Sequence, residues 1–487
     1  MAHSHRHHVL LFPFLAKGHL IPFVALARLL ELKTNYAVTI ITTPFNIPTI
    51  QSSLPPTSTI RIASLPFNGS DHGLPPNVEN TNALPFHLVI NLLQALETLQ
   101  PSLERFISDI HREDGHPPLC IISDIFMGWT VQIANKLDVF HAVFISCGAY
   151  GGAALCSLWL NLPHCRIDSD EFQIPDFPEA GYIDRSQLSY HLRIADRTDS
   201  YSLFLQRQLS LTLRSDGFLF NTVEDLETAG LGYFSRKTNR PVWPVGPIAS
   251  FLRNRECDSN EDGVISTNNC IEWLNLHHPS SVLYVCFGSQ NTISASQMMQ
   301  LAVGLEASGQ NFIWVVRPPL GFDVNGDFRV EWLPEGFEDR ITERNQGILV
   351  QKWAPQTEIL SHGSTGAFLS HCGWNSVVES LSRGVPLIGW PLSGEQFYNS
   401  KMMEEELGVC AEVARGFDSE VSGENVKRVI EMVMGGSDRG EEMRRKALGV
   451  REIMEEAVRE DEGFKGSSVK MIEEFISTLS SMKKTVP

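Results

Sequence analysis

Short runs built almost wholly of apolar residues alternate along this chain with stretches whose apolar residues recur at helical spacing. His8–Phe14 (HVLLFPF) is such a run, and Ile21–Leu32 (IPFVALARLLEL) is the helical stretch that follows it. Ala37–Thr42, Leu119–Asp124, His141–Ser146 and Asp216–Thr222 repeat the pattern. A strand without a polar face must be covered on both faces, which a parallel sheet flanked by helices provides. Arg240–Ile248 (RPVWPVGPI) breaks the rhythm with prolines, and Ala249–Asn269 is polar and charged, as a linker is. The alternation resumes at Val282–Ser289, Asn311–Val316, Gly347–Trp353, Gly366–Ser370, Val385–Trp390 and Gly408–Val413, and helical sequence runs from Gly423. The expectation is an α/β chain of two doubly wound Rossmann-like domains facing across a cleft. They span residues 1–248 and 270–465, with a linker at 249–269. A C-terminal helix at 466–487 is expected to pack back on the first domain.

Charge and cysteine usage narrow the partners. Lysine plus arginine number 39 against 57 acids, a net charge of −18. Such a chain is not expected to bind nucleic acid or anionic membranes through its overall field. Any anionic ligand must be held by local features. The nine cysteines form no CxxC pair, which fits reduced, mostly buried thiols of a cytoplasmic protein. Lys17 and His19 interrupt the apolar start, so it does not read as a secretory leader. No stretch reaches the roughly 18 apolar residues of a membrane span.

Ser370–Ser376 (SHCGWNS) lies between a strand-like run, GAFL, and a helical one, VVESLSRG. A strand–turn–helix start presents unpaired backbone N–H groups and the positive end of the helix dipole, which is an anion site. Asn375 or Ser376 is the expected N-cap. Gly373 lets the backbone approach an anion, and His371, Asn375 and Ser376 are hydrogen-bond donors for phosphate oxygens. Glu379, one turn on, suits a ribose diol. On these residues alone, a plain capped helix start accounts for the segment equally well.

The wider stretch is more specific. Trp353–Gln396 reads WAPQTEILSHGSTGAFLSHCGWNSVVESLSRGVPLIGWPLSGEQ. It closely resembles the signature box of plant family-1 UDP-sugar-dependent glycosyltransferases, which glycosylate small metabolites. W-A-P-Q, H-C-G-W-N-S, Glu379, G-V-P, W-P and a closing acid–Gln pair match in order and without gaps. The resemblance extends to GHLIPFVALARLL, IISD, WPVGP and VLYVCFGS, and is thinnest between Asn161 and Tyr201. It implies a GT-B fold and a role for each matched residue. Trp353 stacks on uracil, with Ala354 and Gln356 contacting uracil or ribose. Glu379 binds the ribose hydroxyls. His371, Asn375 and Ser376 hold the diphosphate, helped by Ser289. Trp374, Glu395 and Gln396 hold the sugar hydroxyls, and Ser146 reaches the sugar's primary hydroxyl. Here the closing pair is Glu-Gln where Asp-Gln is commoner, which shifts the carboxylate by a methylene. Gln396 leans the donor toward UDP-glucose over another UDP-sugar.

Transfer to a hydroxyl also needs a base, because a neutral alcohol is a poor nucleophile. His19, in AKGHLIP, lies just after the first strand, and Asp124 ends the strand IISD at the same sheet edge. An Asp bonded to the far imidazole nitrogen fixes the tautomer and stabilises the imidazolium, as in a hydrolase triad. Each residue alone reads as a helix-start residue. Together with the donor box they read as base and orienting acid, and the resemblance assigns the same roles. The expected reaction is a single in-line displacement with inversion, completed by domain closure, in a monomer.

Other signals carry less. Asp168–Asp170 (DSD) looks like a metal-binding pair but sits in a polar loop, so no metal and no further cofactor are expected. His3, His5, His7 and His8 read as a frayed terminus. Gly148–Ala154 lacks dinucleotide-loop spacing. Phe14, Phe126, Trp129 and Tyr150 are candidates for an apolar acceptor pocket, and also plain core. The expected acceptor is a hydroxyl of a phenolic, flavonoid or terpenoid metabolite, which one being beyond the reach of the sequence. Two alternatives stay open: an epimerase or hydrolase acting on the UDP-sugar itself, and a non-catalytic sugar-nucleotide binder.

Overall fold

The apolar runs become the strands of two parallel sheets. The computed structural model of the chain describes residues 7–82, 84–253, 264–323 and 326–482. His3, His5 and residues 254–263 of the expected linker lie outside them. The chain divides into two compact units: Met1–Ile183 with His191–Cys257 and Glu456–Pro487, and Asp184–Tyr190 with Asp258–Glu455.

In the first unit the sheet strands are His8–Phe12 (β1), Ala37–Thr42 (β2), Arg61–Ser64 (β3), Cys120–Asp124 (β4), Phe140–Ile145 (β5), Gly217–Phe220 (β6) and Val242–Pro244 (β7). They stand in the order β3-β2-β1-β4-β5-β6-β7. Every pairing is parallel. Val9 of β1 lies opposite Val38 on one side and Cys120 on the other. β1, β4 and β6 are buried along their whole length, which is why they carry no polar alternation. Helix α1 (Lys17–Lys33) buries Leu20, Phe23, Leu26, Ala27 and Leu30, the helical period read from the sequence. Helix α2 (Ala149–Asn161) follows β5.

The second sheet comprises Val282–Cys286 (β8), Asn311–Val316 (β9), Gly347–Gln351 (β10), Thr365–Ser370 (β11), Leu387–Gly389 (β12) and Cys410–Glu412 (β13). Their order is β10-β9-β8-β11-β12-β13, again parallel. Helix α3 (Ala295–Ser308) starts in a capping box between Ser294 and Gln297 and stops at Gly309 in the left-handed region. Helix α4 (Trp374–Leu381) follows β11, and helix α5 (Gly423–Met434) packs on α3. Two glycines set that approach. A Cβ on Gly304 would lie 2.5 Å from Val426, and one on Gly423 would lie 2.6 Å from Val303.

The expected linker carries helix at both ends, Ile248–Arg253 and Val264–Leu274, because Ile248, Phe251 and Leu252 find buried places on one side and Cys270 and Leu274 on the other. The C-terminal part joins the first unit from Glu456, earlier than residue 466. A tight antiparallel pair, Glu460–Asp461 with Phe464–Lys465, precedes the last helix, and Lys33 Nζ donates to Glu460. That helix, α6 (Ser467–Met482), lies along β7. Trp243 Nε1 donates to Glu474 at 3.1 Å, and the Trp243 and Phe475 rings meet edge to face at 5.1 Å. Phe475 has no exposed surface. Phe475→Ala is therefore expected to cost the first unit about 3 kcal/mol, read as a lower urea midpoint; an unchanged midpoint would mean that α6 contributes no packing.

Candidate active site

The order of each sheet reverses beside its first strand. β1 is followed in the chain by β2 on one side, while β4 flanks it on the other. β8 stands likewise between β9 and β11. In open α/β sheets, ligands bind at that reversal, outside the carboxyl ends of the strands. Asp124, Ser289 and His371 stand at or just past those strand ends, and His19 lies in the helix after β1.

In the first unit, Ala16 is extended and caps α1, so His19 falls in the first helical turn, its N–H donated to the Ala16 carbonyl at 2.9 Å. Asp124 is the last residue of β4, the strand next to β1. These placements bring His19 Nδ1 to 2.7 Å from Asp124 Oδ2. The carboxylate is 1% exposed and the imidazole side chain 23% exposed, so the pair has a dry inner end and an open outer end. Asp124 Oδ1 accepts from the Phe126 N–H at 3.1 Å, which fixes the carboxylate against rotation. With the proton on Nδ1 facing Asp124, the lone pair is on Nε2. Ser146, just past β5, places its Oγ 3.3 Å from His19 Nδ1. Phe14 and Phe126 frame the imidazole, with ring centroids 5.3 and 5.6 Å away.

Behind β4 lies a buried polar cluster. His141 Nε2 meets Thr130 Oγ1 at 2.9 Å and Ser123 Oγ at 3.2 Å, and Nδ1 meets Ser215 Oγ at 2.8 Å. Burial lowers the His141 pKa to about 3, so the ring is neutral and works as a hydrogen-bonding strut. Trp129 and Tyr150 do not line the outer end: both are core, Trp129 against Phe12 and Tyr150 against Phe177. Asp168–Asp170 is a solvated loop.

In the second unit, β11 runs into His371, Cys372 and Gly373. Cys372 takes a left-handed conformation with φ 62°, which turns the chain into α4 at once. Asn399 Nδ2 secures the turn through the Cys372 carbonyl at 3.1 Å. The helix therefore starts earlier than expected. Gly373 is the N-cap and has no side-chain cap, and Asn375 and Ser376 fall inside the first turn. Their backbone N–H groups are among those that have no intrahelical partner. A Cβ on Gly288 or on Gly373 would lie 2.8 or 2.5 Å from the His371 ring. The loop after β8, with Ser289, and the helix N-cap thus close on one imidazole. Enclosure lowers the His371 pKa to about 4, and its Nδ1 is buried without a partner.

Around this turn, Gln356 Nε2 donates to Glu379 Oε2 at 2.7 Å and to Ser376 Oγ at 3.1 Å. That ties the start of the box to α4. Ala354 is buried and Trp353 is 58% exposed, an indole face offered outward after β10. Trp374, the first residue of α4, is buried. Glu395 is half-buried at the head of the next helix. Gln396 accepts from the N–H groups of Leu392 and Ser393 at 3.0 and 2.9 Å, leaving its NH₂ end as the donor. Asn399 and Arg317, which hold these loops from outside the box, carried no motif that reading the sequence would have found. Among the described residues no group of three or more His, Cys, Asp or Glu is placed to hold a metal ion.

Residues 266–444 match the family "UDP-glucoronosyl and UDP-glucosyl transferase". The chain is 46% identical over 476 residues to UDP-glycosyltransferase 92A1 of Arabidopsis thaliana, covering 96% of each. It is 44% identical over 463 residues to crocetin glucosyltransferase 3 of Crocus sativus, covering 91% of this chain and 94% of that one. Among solved structures, it superposes on Glycyrrhiza uralensis UGT73P12 complexed with glycyrrhetinic acid 3-O-monoglucuronide. The TM-score is 0.81 at 31% identity, covering 98% of this chain and 96% of that one.

The enclosed imidazole makes a pH prediction. His371 stays neutral in the folded protein down to about pH 4, whereas the unfolded chain protonates it near 6.5. Between these values the unfolded state holds the extra proton, so stability is full above the window and falls as pH drops through it. His141 adds a fall of the same sign. Urea midpoints are expected to fall between about pH 7 and about pH 5, and His371→Gln should shrink that fall. An equal fall in wild type and variant would contradict the assignment.

Proposed function

The chain belongs to the plant family-1 UDP-sugar-dependent glycosyltransferases, and from that premise we propose that it transfers glucose from UDP-glucose to a hydroxyl of a phenolic, flavonoid or terpenoid metabolite, with His19 as base. Sugar transfer from a UDP-sugar is the family's reaction; the donor sugar, acceptor class and residue roles are the proposal. The observation that carries it is the 2.7 Å contact between His19 Nδ1 and the buried Asp124 carboxylate. Two relatives point to small-molecule acceptors, crocetin by name and glycyrrhetinic acid 3-O-monoglucuronide by complex. The Phe14–His19–Phe126 frame suits a flat or apolar acceptor.

In this mechanism the acceptor O–H gives its proton to His19 Nε2 as its oxygen bonds to the anomeric carbon. The bond from that carbon to the diphosphate oxygen breaks on the opposite side, and UDP leaves with the electron pair. The sugar inverts. Asp124 stabilises the imidazolium and holds the tautomer. The N-terminus of α4 with His371, Asn375, Ser376 and Ser289 takes up the charge that develops on UDP. Trp353 stacks on uracil beside Ala354, with Gln356 and Glu379 on the ribose. Trp374, Glu395 and Gln396 hold the sugar, and the NH₂ end of Gln396 donates to a sugar hydroxyl. The reading takes no metal or further cofactor, and takes the enzyme to be a cytoplasmic monomer. The free cysteines and the lack, among the described residues, of any helix long and apolar enough to cross a membrane are in keeping with it.

Turnover of UDP-glucose against a panel of phenolic and terpenoid alcohols, read by mass spectrometry, tests it. Acceptor-dependent product is expected, reduced at least about a hundredfold by His19→Ala and strongly by Asp124→Asn. UDP release without acceptor, unchanged by His19→Ala, would refute the transfer mechanism and point to hydrolysis.

A further inference from the structure

A UDP-sugar brings two phosphate charges to a protein of net charge −18. The imidazole at the turn does not offset them, because enclosure keeps His371 neutral. Lys352, beside Trp353, has its own carboxylate, Asp327, at 3.3 Å. Arg317, just past β9, differs. Its Nη1 donates to the Ser289 carbonyl at 2.8 Å and its Nη2 to the Lys352 carbonyl at 2.7 Å. Its Nε is buried without a partner. Among the described residues no carboxylate pairs with this guanidinium, and desolvation lowers its pKa. Shielding a cation from water without a counter-charge is unfavourable to folding. An arrangement that keeps one is set up for an anion that arrives later.

The two carbonyls it holds are not equivalent parts of the fold. Ser289 is in the loop after β8 that closes on His371. Lys352, with φ 68°, is the turn residue that presents Trp353. A planar guanidinium binds both at fixed spacing, which a Lys ammonium does not do. We propose that Arg317 is the positioning residue of the donor site: it ties the loop that holds the diphosphate to the loop that stacks on uracil, and its unneutralised charge favours the diphosphate over an uncharged nucleoside. This rests on the donor site proposed above.

Calorimetric titration of the full-length protein with UDP and with uridine, in wild type, Arg317→Met and Arg317→Lys, tests it without any acceptor. Wild type is expected to prefer UDP. Arg317→Met should weaken UDP by about tenfold or more and uridine by less, as loss of a charge does. Arg317→Lys should regain most of the preference for UDP while uridine stays weakened, because the charge returns and the double tie does not. An Arg317→Met protein that is folded by its melting curve and keeps the wild-type ratio of UDP to uridine affinity would overturn the proposal. If Arg317→Met fails to fold, Arg317→Lys decides: wild-type affinity for uridine would overturn it. Wild-type protein that binds no UDP would instead overturn the donor site itself.

Discussion

A parallel sheet whose strand order reverses must leave a gap at the reversal, because the chains leaving the two central strands go to opposite sides. The centre of the candidate site depends on that constraint, met twice. In the first unit the gap is flanked by the ends of β1 and β4, so the helix after β1 supplies His19 and the last residue of β4 supplies Asp124. In the second it is flanked by the ends of β8 and β11, so Ser289 and His371 come to adjacent loops. The central strands, β1, β4, β8 and β11, are buried along their whole length, as strands covered on both faces are. Asp124, Ser289 and His371 stand at or just past the carboxyl ends, where the chain leaves the sheet.

The electrostatics of the two gaps are opposite in kind. At the first, a buried carboxylate with a second hydrogen bond from Phe126 faces Nδ1 of His19, where it orients the neutral ring and, in the proposed mechanism, would stabilise the imidazolium. At the second, the proposed anion would have to be held in a protein of net charge −18. Backbone N–H groups at the start of α4 and a neutral imidazole are the groups proposed to do this at short range. Arg317, a cation that bonds to both loops, donates to carbonyl oxygens that set loop geometry, with its charge left unmatched among the described residues.

Several side chains of the signature box hold each other. Gln356, Ser376 and Glu379 form one hydrogen-bonded set, and Gln396 braces its own loop through Leu392 and Ser393. A motif so dense in polar residues is legible because these side chains hold one another over short separations in the chain. The long-range supports are not legible. Asn399 reaches Cys372, and Glu474 reaches Trp243, across separations that no local pattern records. The helix start at Gly373 is not legible either, because a left-handed Cys372 ends the turn sooner than the capping residues imply.

Taken by itself, the sequence determined the alternation of buried strands and helices, the two parallel sheets, the family, and His19, Asp124 and the box from Trp353 to Gln396 as the residues to examine. It could do so because burial of a parallel sheet writes itself as unbroken apolar runs, and ligand chemistry as clustered polar residues. Only the tertiary structure decided which atoms meet. It put Nδ1 of His19, not merely the residue, on Asp124; it left Trp353 exposed and buried Trp374; it sent Trp129 and Tyr150 to the core; and it brought Arg317 to two distant carbonyls. These are contacts between segments far apart in the chain, fixed by strand register and helix docking, and register is a property of the assembled sheet rather than of any one run of residues.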